Sequence, residues 1–205
     1  MGLVKHSRSV APQSEQRTAN RDYEGLLHQL GDARPQVRRW ASKDLVEHPQ
    51  CVDILCARLQ VEADSSVRDA IFNTLTRIGG SAVVDGVVPF LRSDDAELRN
   101  CAIDVLKNLP DATAGGIEAL IHDADPDVRI FAINVLESLR HPHVEAWLTE
   151  VLQNDPHENV CATAIDLLGE VGTPAAIPAL RAARARFDSE FTRFACDLAL
   201  QRIGA

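Results

Sequence analysis

From Val128 onward the apolar residues Val128, Phe131, Ala132, Val135, Leu136 and Leu139 fall at offsets 0, 3, 4, 7, 8 and 11. That spacing is one apolar face of an α-helix. The residues just before it mark a helix start. Asp125 suits an N-cap, Pro126 suits the first helical position because its missing N–H would be unpaired there, and Asp127 sits well against the positive end of the helix dipole.

The same pattern returns at Val37 with Ala41 and Leu45, Val67 with Ile71 and Leu75, Leu98 with Ala102 and Leu106, and Val160 with Ala164 and Leu168. A weaker copy runs through Thr192, Cys196 and Leu200. The starts are separated by 30, 31, 30, 32 and 32 residues, a regularity that marks a repeat array. Each copy follows a shorter apolar segment: Leu26 to Leu30, Val52 to Leu59, Val83 to Leu91, Ile117 to Ile121, Trp147 to Leu152 and Ile177 to Ala183. Two short helices per period predict an all-α solenoid of about six helix pairs, spanning residues 22–205 as a single domain. Residues 1–21 are poor in apolar residues and read as a flexible N-terminal tail.

The rhythm Asp-x-x-Val-Arg-x-x-Ala-x-x-x-Leu resembles HEAT repeats of the short bacterial type associated with phycobilisome lyases. The resemblance implies a right-handed stack whose second helices line the concave side. It leaves the task open, because that group includes bilin lyase subunits, DNA alkylpurine glycosylases, a di-iron hydroxylase and many adaptors.

Counted from each start, offset 1 carries Arg38, Arg68, Arg99, Arg129 and Arg193, and three residues before the start stand Asp64, Asp95 and Asp125. A charge that returns at each repeat predicts a structural ladder in which each arginine bonds the turn of its neighbour. Repeat five, with Cys161 and His157 at these places, predicts a looser junction.

Offsets 2, 6 and 9 point away from the core and predict the exposed inner surface. Offset 6 reads Lys43, Asn73, Asp104, Asn134, Asp166 and Leu198, so Asn73, Asp104, Asn134 and Asp166 form a candidate line of partner-binding side chains. Offset 2 turns from charged to apolar, with Ile130 and Phe194, joined by Ile133 and Ile165 at offset 5, as a candidate apolar patch. In the last repeat Phe187, Phe191 and Phe194 lie close together and read as a cap folding back, a homodimer contact or a docking site.

Charge sharpens the choice of partner. The chain carries a formal −9, the tail carries +3, and the body therefore carries −12. Such a body repels phosphate and attracts basic or extended segments, which argues against nucleic acid and against a glycosylase. Repeat one is the basic exception, with Arg34, Arg38, Arg39 and Lys43 around Trp40, read as a core tryptophan with solvated arginines.

No His-Glu-x-x-His, Gly-x-Ser-x-Gly or phosphate-loop motif occurs. Gly79-Gly80 and Gly115-Gly116 read as turns. His122, Asp123, Asp125, His141 and His143 are the one cluster with metal-like chemistry, and they read as turn residues. The expectation is no metal and no cofactor. Five cysteines without a Cys-x-x-Cys spacing, no apolar run long enough for a membrane span and no secretory h-region predict free thiols in the cytoplasm.

The sequence thus predicts a non-enzymatic scaffold that docks another cytoplasmic protein on its concave face in a regulatory or assembly complex. The alternative is a subunit resembling the bilin lyases.

Overall fold

The structure is a computed structural model that describes residues 20–204. The expected tail lies almost entirely outside the described residues. Thirteen α-helices and no strand occur among the described residues, arranged as six pairs in chain order. The pairs are α1 (Tyr23–Leu30) with α2 (Pro35–Asp44), α3 (Val52–Val61) with α4 (Ser65–Ile78), and α5 (Ser81–Val87) with α6 (Ala96–Asn108). Then follow α7 (Pro110–Ala114) and α8 (Ile117–Ile121) with α9 (Pro126–Leu136), α10 (Val144–Asn154) with α11 (Glu158–Val171), and α12 (Ile177–Arg186) with α13 (Glu190–Arg202).

Local chemistry explains the boundaries. Asp22, Asp64, Asp95 and Asp125 each cap a helix by accepting a backbone N–H in its first turn. Pro89 lacks an N–H, and after Val87 the first helix of pair three tightens into a 3₁₀ turn over Val88–Arg92. Gly79 and Gly80 have φ of 69° and 83°, left-handed geometry that the turn from α4 to α5 requires. In pair four, Pro110 opens an extra short helix, so the first element splits in two.

The second helices stack directly on one another, α2 on α4, α4 on α6, α6 on α9, α9 on α11 and α11 on α13. The offset-4 column makes this close approach possible. Ala41, Ile71, Ala102, Ala132, Ala164 and Cys196 are all fully buried, and most are small. Leu45, Leu75, Leu106, Leu136 and Leu168 at offset 8 seal each pair. Burying one such leucine contributes roughly 1.5–3 kcal/mol.

Offset 5 is a second buried column. Phe72, Ile133 and Ile165 lie between successive second helices. Ile133 and Ile165 are therefore not surface residues, because a stacked helix needs apolar atoms on its neighbour's side as well as toward its own partner. At the same offset the last repeat carries Asp197, which pairs with Arg184 at 2.6 Å. The corresponding side of α13 is polar.

The arginine ladder forms, with different acids. Arg38, Arg68, Arg99 and Arg129 each donate to the backbone carbonyl six residues earlier, of Asp32, Glu62, Ser93 and Asp123, at 2.6–2.8 Å. Three of them also reach into the next repeat. Arg38 forks onto Glu62 at 2.7 and 2.6 Å, Arg129 onto Asp155 at 2.6 and 3.0 Å, and Arg68 bonds Asp95 at 2.7 Å.

Asp64 and Asp125 are not ladder acids. Their carboxylates accept the N–H groups of Val67 and Asp127. The ladder acid stands two residues earlier, as Glu62 or Asp155, where the carboxylate also accepts the N–H two residues on. Among the described residues Arg99 makes only its carbonyl bond, and the Asp123 carboxylate at the corresponding place is engaged by Arg92.

Candidate functional site

The offset-6 residues are on the surface formed by the second helices, as the helical period requires. Asn73, Asp104 and Asp166 are exposed and Asn134 is half-buried. They do not form one continuous line. Asn73 and Asp104 share a cleft between α4 and α6, while Asn134 and Asp166 share another between α9 and α11. Between the two, Lys107 bridges to Glu137 at 2.7 Å.

Size separates the two clefts. The α4–α6 cleft has a volume of about 370 Å³, and the α9–α11 cleft about 130 Å³. Small-molecule sites run from roughly 300 to 1,000 Å³, so only the first has the room. Its floor is apolar, with Phe72 at 5% and Val105 at 2% exposure. Its rim carries Asp69, Asn73, Asp104 and Asn108, two carboxylates and two amides with no cation.

The amides are partly committed. Asn73 donates its Nδ2 to the Asp69 carbonyl at 2.7 Å, and Asn108 donates likewise to Asp104 at 2.7 Å. Both amides are thereby oriented by their own helix, and each retains its Oδ1 as an acceptor. A cleft with an apolar floor and an acceptor-rich rim suits a flat, N–H-bearing ligand. Cys101 lines the same cleft, half-buried, its thiol held above the usual range by burial and by Asp69, Asp104 and Glu97.

The predicted apolar patch does not assemble. Ile130 is half-buried and packs against the core, whereas Phe194 is 67% exposed, four helices further along the chain. Phe191 is 69% exposed beside it, so these two rings do not fold back as a cap. Phe187 alone of the three packs on the core, beneath the Arg186 guanidinium at 4.2 Å.

His141 and His143 stay together, their ring centroids 5.0 Å apart, while His122 faces a different group. His141 stacks on Trp147 at 4.8 Å, His143 meets the same ring edge-on, and His122 lies 3.6 Å from Glu150. Among the described residues no three His, Cys, Asp or Glu side chains are grouped to hold a metal ion. No described helix is long and apolar enough to cross a membrane.

The profile of a family described as HEAT repeats matches residues 23–107 and 113–201. The bilin biosynthesis protein PecE of Mastigocladus laminosus is 29% identical over 72% of this chain, which spans 56% of that protein's length. An uncharacterized phycocyanin operon protein Z of Pseudanabaena tenuis is 26% identical over 78% of this chain and 83% of its own length. Among solved structures, the complex of CpcE and CpcF of phycocyanin lyase from Nostoc is 17% identical, covers 96% of this chain and 99% of its own, and has a TM-score of 0.40. The two sequence relatives overturn the expected non-enzymatic scaffold. Proteins that match along most of the chain are named for bilin biosynthesis and for a phycocyanin operon.

Proposed function

The chain belongs to the HEAT-repeat family, and we propose that within it this protein is a bilin lyase-like subunit that holds a linear tetrapyrrole for delivery to a protein partner. The observation that carries the reading is the similarity to PecE and to the phycocyanin operon protein over 72% and 78% of the chain.

The α4–α6 cleft supports it chemically. A linear tetrapyrrole presents flat apolar rings and a row of ring N–H groups. Phe72 and Val105 offer the rings an apolar floor. Asp69, Asp104 and the Oδ1 atoms of Asn73 and Asn108 offer acceptors to the N–H edge. The role of the chain's residues is to bind, orient and extend the pigment on a rigid stack, whose ordering entropy is already met in folding.

The test is to mix the purified protein with biliverdin and record visible absorbance and circular dichroism. The reading expects a shifted absorbance band and an induced dichroic signal from a pigment held in one twist. An unchanged spectrum at excess protein contradicts it.

A further inference from the structure

The surface formed by the second helices changes character at its last repeat. The position just before each repeat start is polar in repeats one to five, from Gln36 to Asn159, and is Phe191 in repeat six. Offset 6 is polar from Lys43 to Asp166 and becomes Leu198. With Phe194 at offset 2, the residues Phe191, Phe194 and Leu198 follow the i, i+3, i+7 spacing of one helix face on α13. Phe191 and Phe194 are exposed, and no other Phe, Tyr or Trp among the described residues is. A terminal repeat that only closed the stack would turn polar residues to water, so two adjacent exposed rings mark a contact surface.

Charge identifies what fits it. Residues 142–172 carry six carboxylates and no Lys or Arg, whereas residues 173–205 carry five arginines against three carboxylates. A strongly acidic repeat and a net-basic one are therefore neighbours, and α11 and α13 stack on each other. Where α13 presents Phe194, Leu198 and Arg202, α11 presents Ala162, Asp166 and Glu170 at the same offsets. Asp166, Glu170 and Arg202 are exposed, and none of the three makes an ion pair among the described residues.

A second copy of this chain supplies the matching surface. As equivalent helices of successive repeats, α11 and α13 run in the same direction. A two-fold axis parallel to them and midway between them lays α13 of each copy on α11 of the other, with equal offsets at equal height. We propose that the protein forms a homodimer in this way, Phe191 and Phe194 covering α11 of the other copy beside the small Ala162, and Arg202 meeting the other copy's Glu170. Each copy carries −9, so two copies repel at most of their surface, and here opposite charges meet twice. The overlap is confined to the last two repeats and leaves the α4–α6 cleft outside it.

Sedimentation velocity on the 205-residue chain tests the proposal. At about 50 µM, far above a Kd of ~1 µM, wild type is expected at twice its 22.4 kDa. Phe191→Ser/Phe194→Ser, at two exposed positions, should keep its helical circular dichroism and dimerise at least about tenfold more weakly. Glu170→Arg should weaken the dimer too, and Glu170→Arg/Arg202→Glu, which restores opposite charges across the interface, should recover it. A wild type that stays at 22.4 kDa overturns the proposal and leaves the face to a different protein. A dimer that survives the loss of both phenylalanines puts the contact elsewhere. A charge swap no tighter than Glu170→Arg alone overturns the seating of α13 on α11.

Discussion

The Arg186 guanidinium donates to the Asp155 carbonyl at 2.7 Å and to the Cys161 sulfur at 2.9 Å. Asp155 lies six residues before Cys161, so this carbonyl corresponds to those that Arg38, Arg68, Arg99 and Arg129 reach from inside their own repeats. Repeat five has a cysteine where the arginine belongs, and an arginine from the following repeat takes its place. The expected looseness at this junction is thus met by a bond across it. Arg186→Ala should cost about 1–3 kcal/mol by freeing buried acceptors. Adding Cys161→Arg should recover part of that loss, as read by the urea midpoint.

Glu62 makes the stack sensitive to acid. Burial pushes its carboxyl up, but hydrogen bonds from Arg38, the Asp64 N–H and Arg58 together outweigh burial and hold it at about 2. A carboxylate near 4.3 when unfolded and near 2 when folded contributes stability that is present above about pH 4.3 and lost as pH falls toward 2. Glu62→Gln should flatten the fall in stability between these values. Glu62→Ala, which strands two guanidinium groups, should cost about 3–5 kcal/mol at neutral pH by thermal or denaturant unfolding.

Thiol labelling should separate one cysteine from four. Burial raises the Cys51, Cys56 and Cys196 thiols to about 11, with Asp53 adding to the shift at Cys56 and Asp197 at Cys196, while Cys161 is fully buried. Cys101 is half-buried in the α4–α6 cleft. Maleimide at pH 7.5 should modify Cys101 first, with the other four reacting only after denaturation. Biliverdin in the cleft should slow the Cys101 reaction, and mass spectrometry of tryptic peptides reads both effects.

The columns at offsets 0, 4 and 8 were legible because burial on a stacked helix repeats with the chain. The ladder was half legible. The offset-1 column points to Arg38, Arg68 and Arg129, but the helix-start aspartates Asp64 and Asp125 look like the paired acids where Glu62 and Asp155 do the pairing. A cap and an ion-pair acid are both short-range turn carboxylates two residues apart, and only the reach of the guanidinium separates them. The signal was present as Asp32, Glu62, Asp123 and Asp155, each five residues before a repeat start. Ile133 and Ile165 misled for another reason. A single amphipathic helix has one buried face, whereas α9 and α11, which carry these residues, are each packed by their own partner and by two neighbouring second helices. The unbroken apolar run Phe72, Ile103, Ile133 and Ile165, ending at Asp197, carries that information. The split between the Asn73/Asp104 and Asn134/Asp166 clefts depends on helix spacing and on the Lys107–Glu137 bridge, which no column of residues displays.

The most direct measurement is a titration of wild type and Asp69→Leu/Asp104→Leu with biliverdin, followed by induced circular dichroism. Both aspartates are exposed, so the fold should be kept. The account predicts saturable binding by wild type and at least about tenfold weaker binding by the variant, the effect of losing charge-assisted acceptors. Equal binding by the two proteins would place the pigment elsewhere, and no induced signal from wild type would contradict the account at its centre.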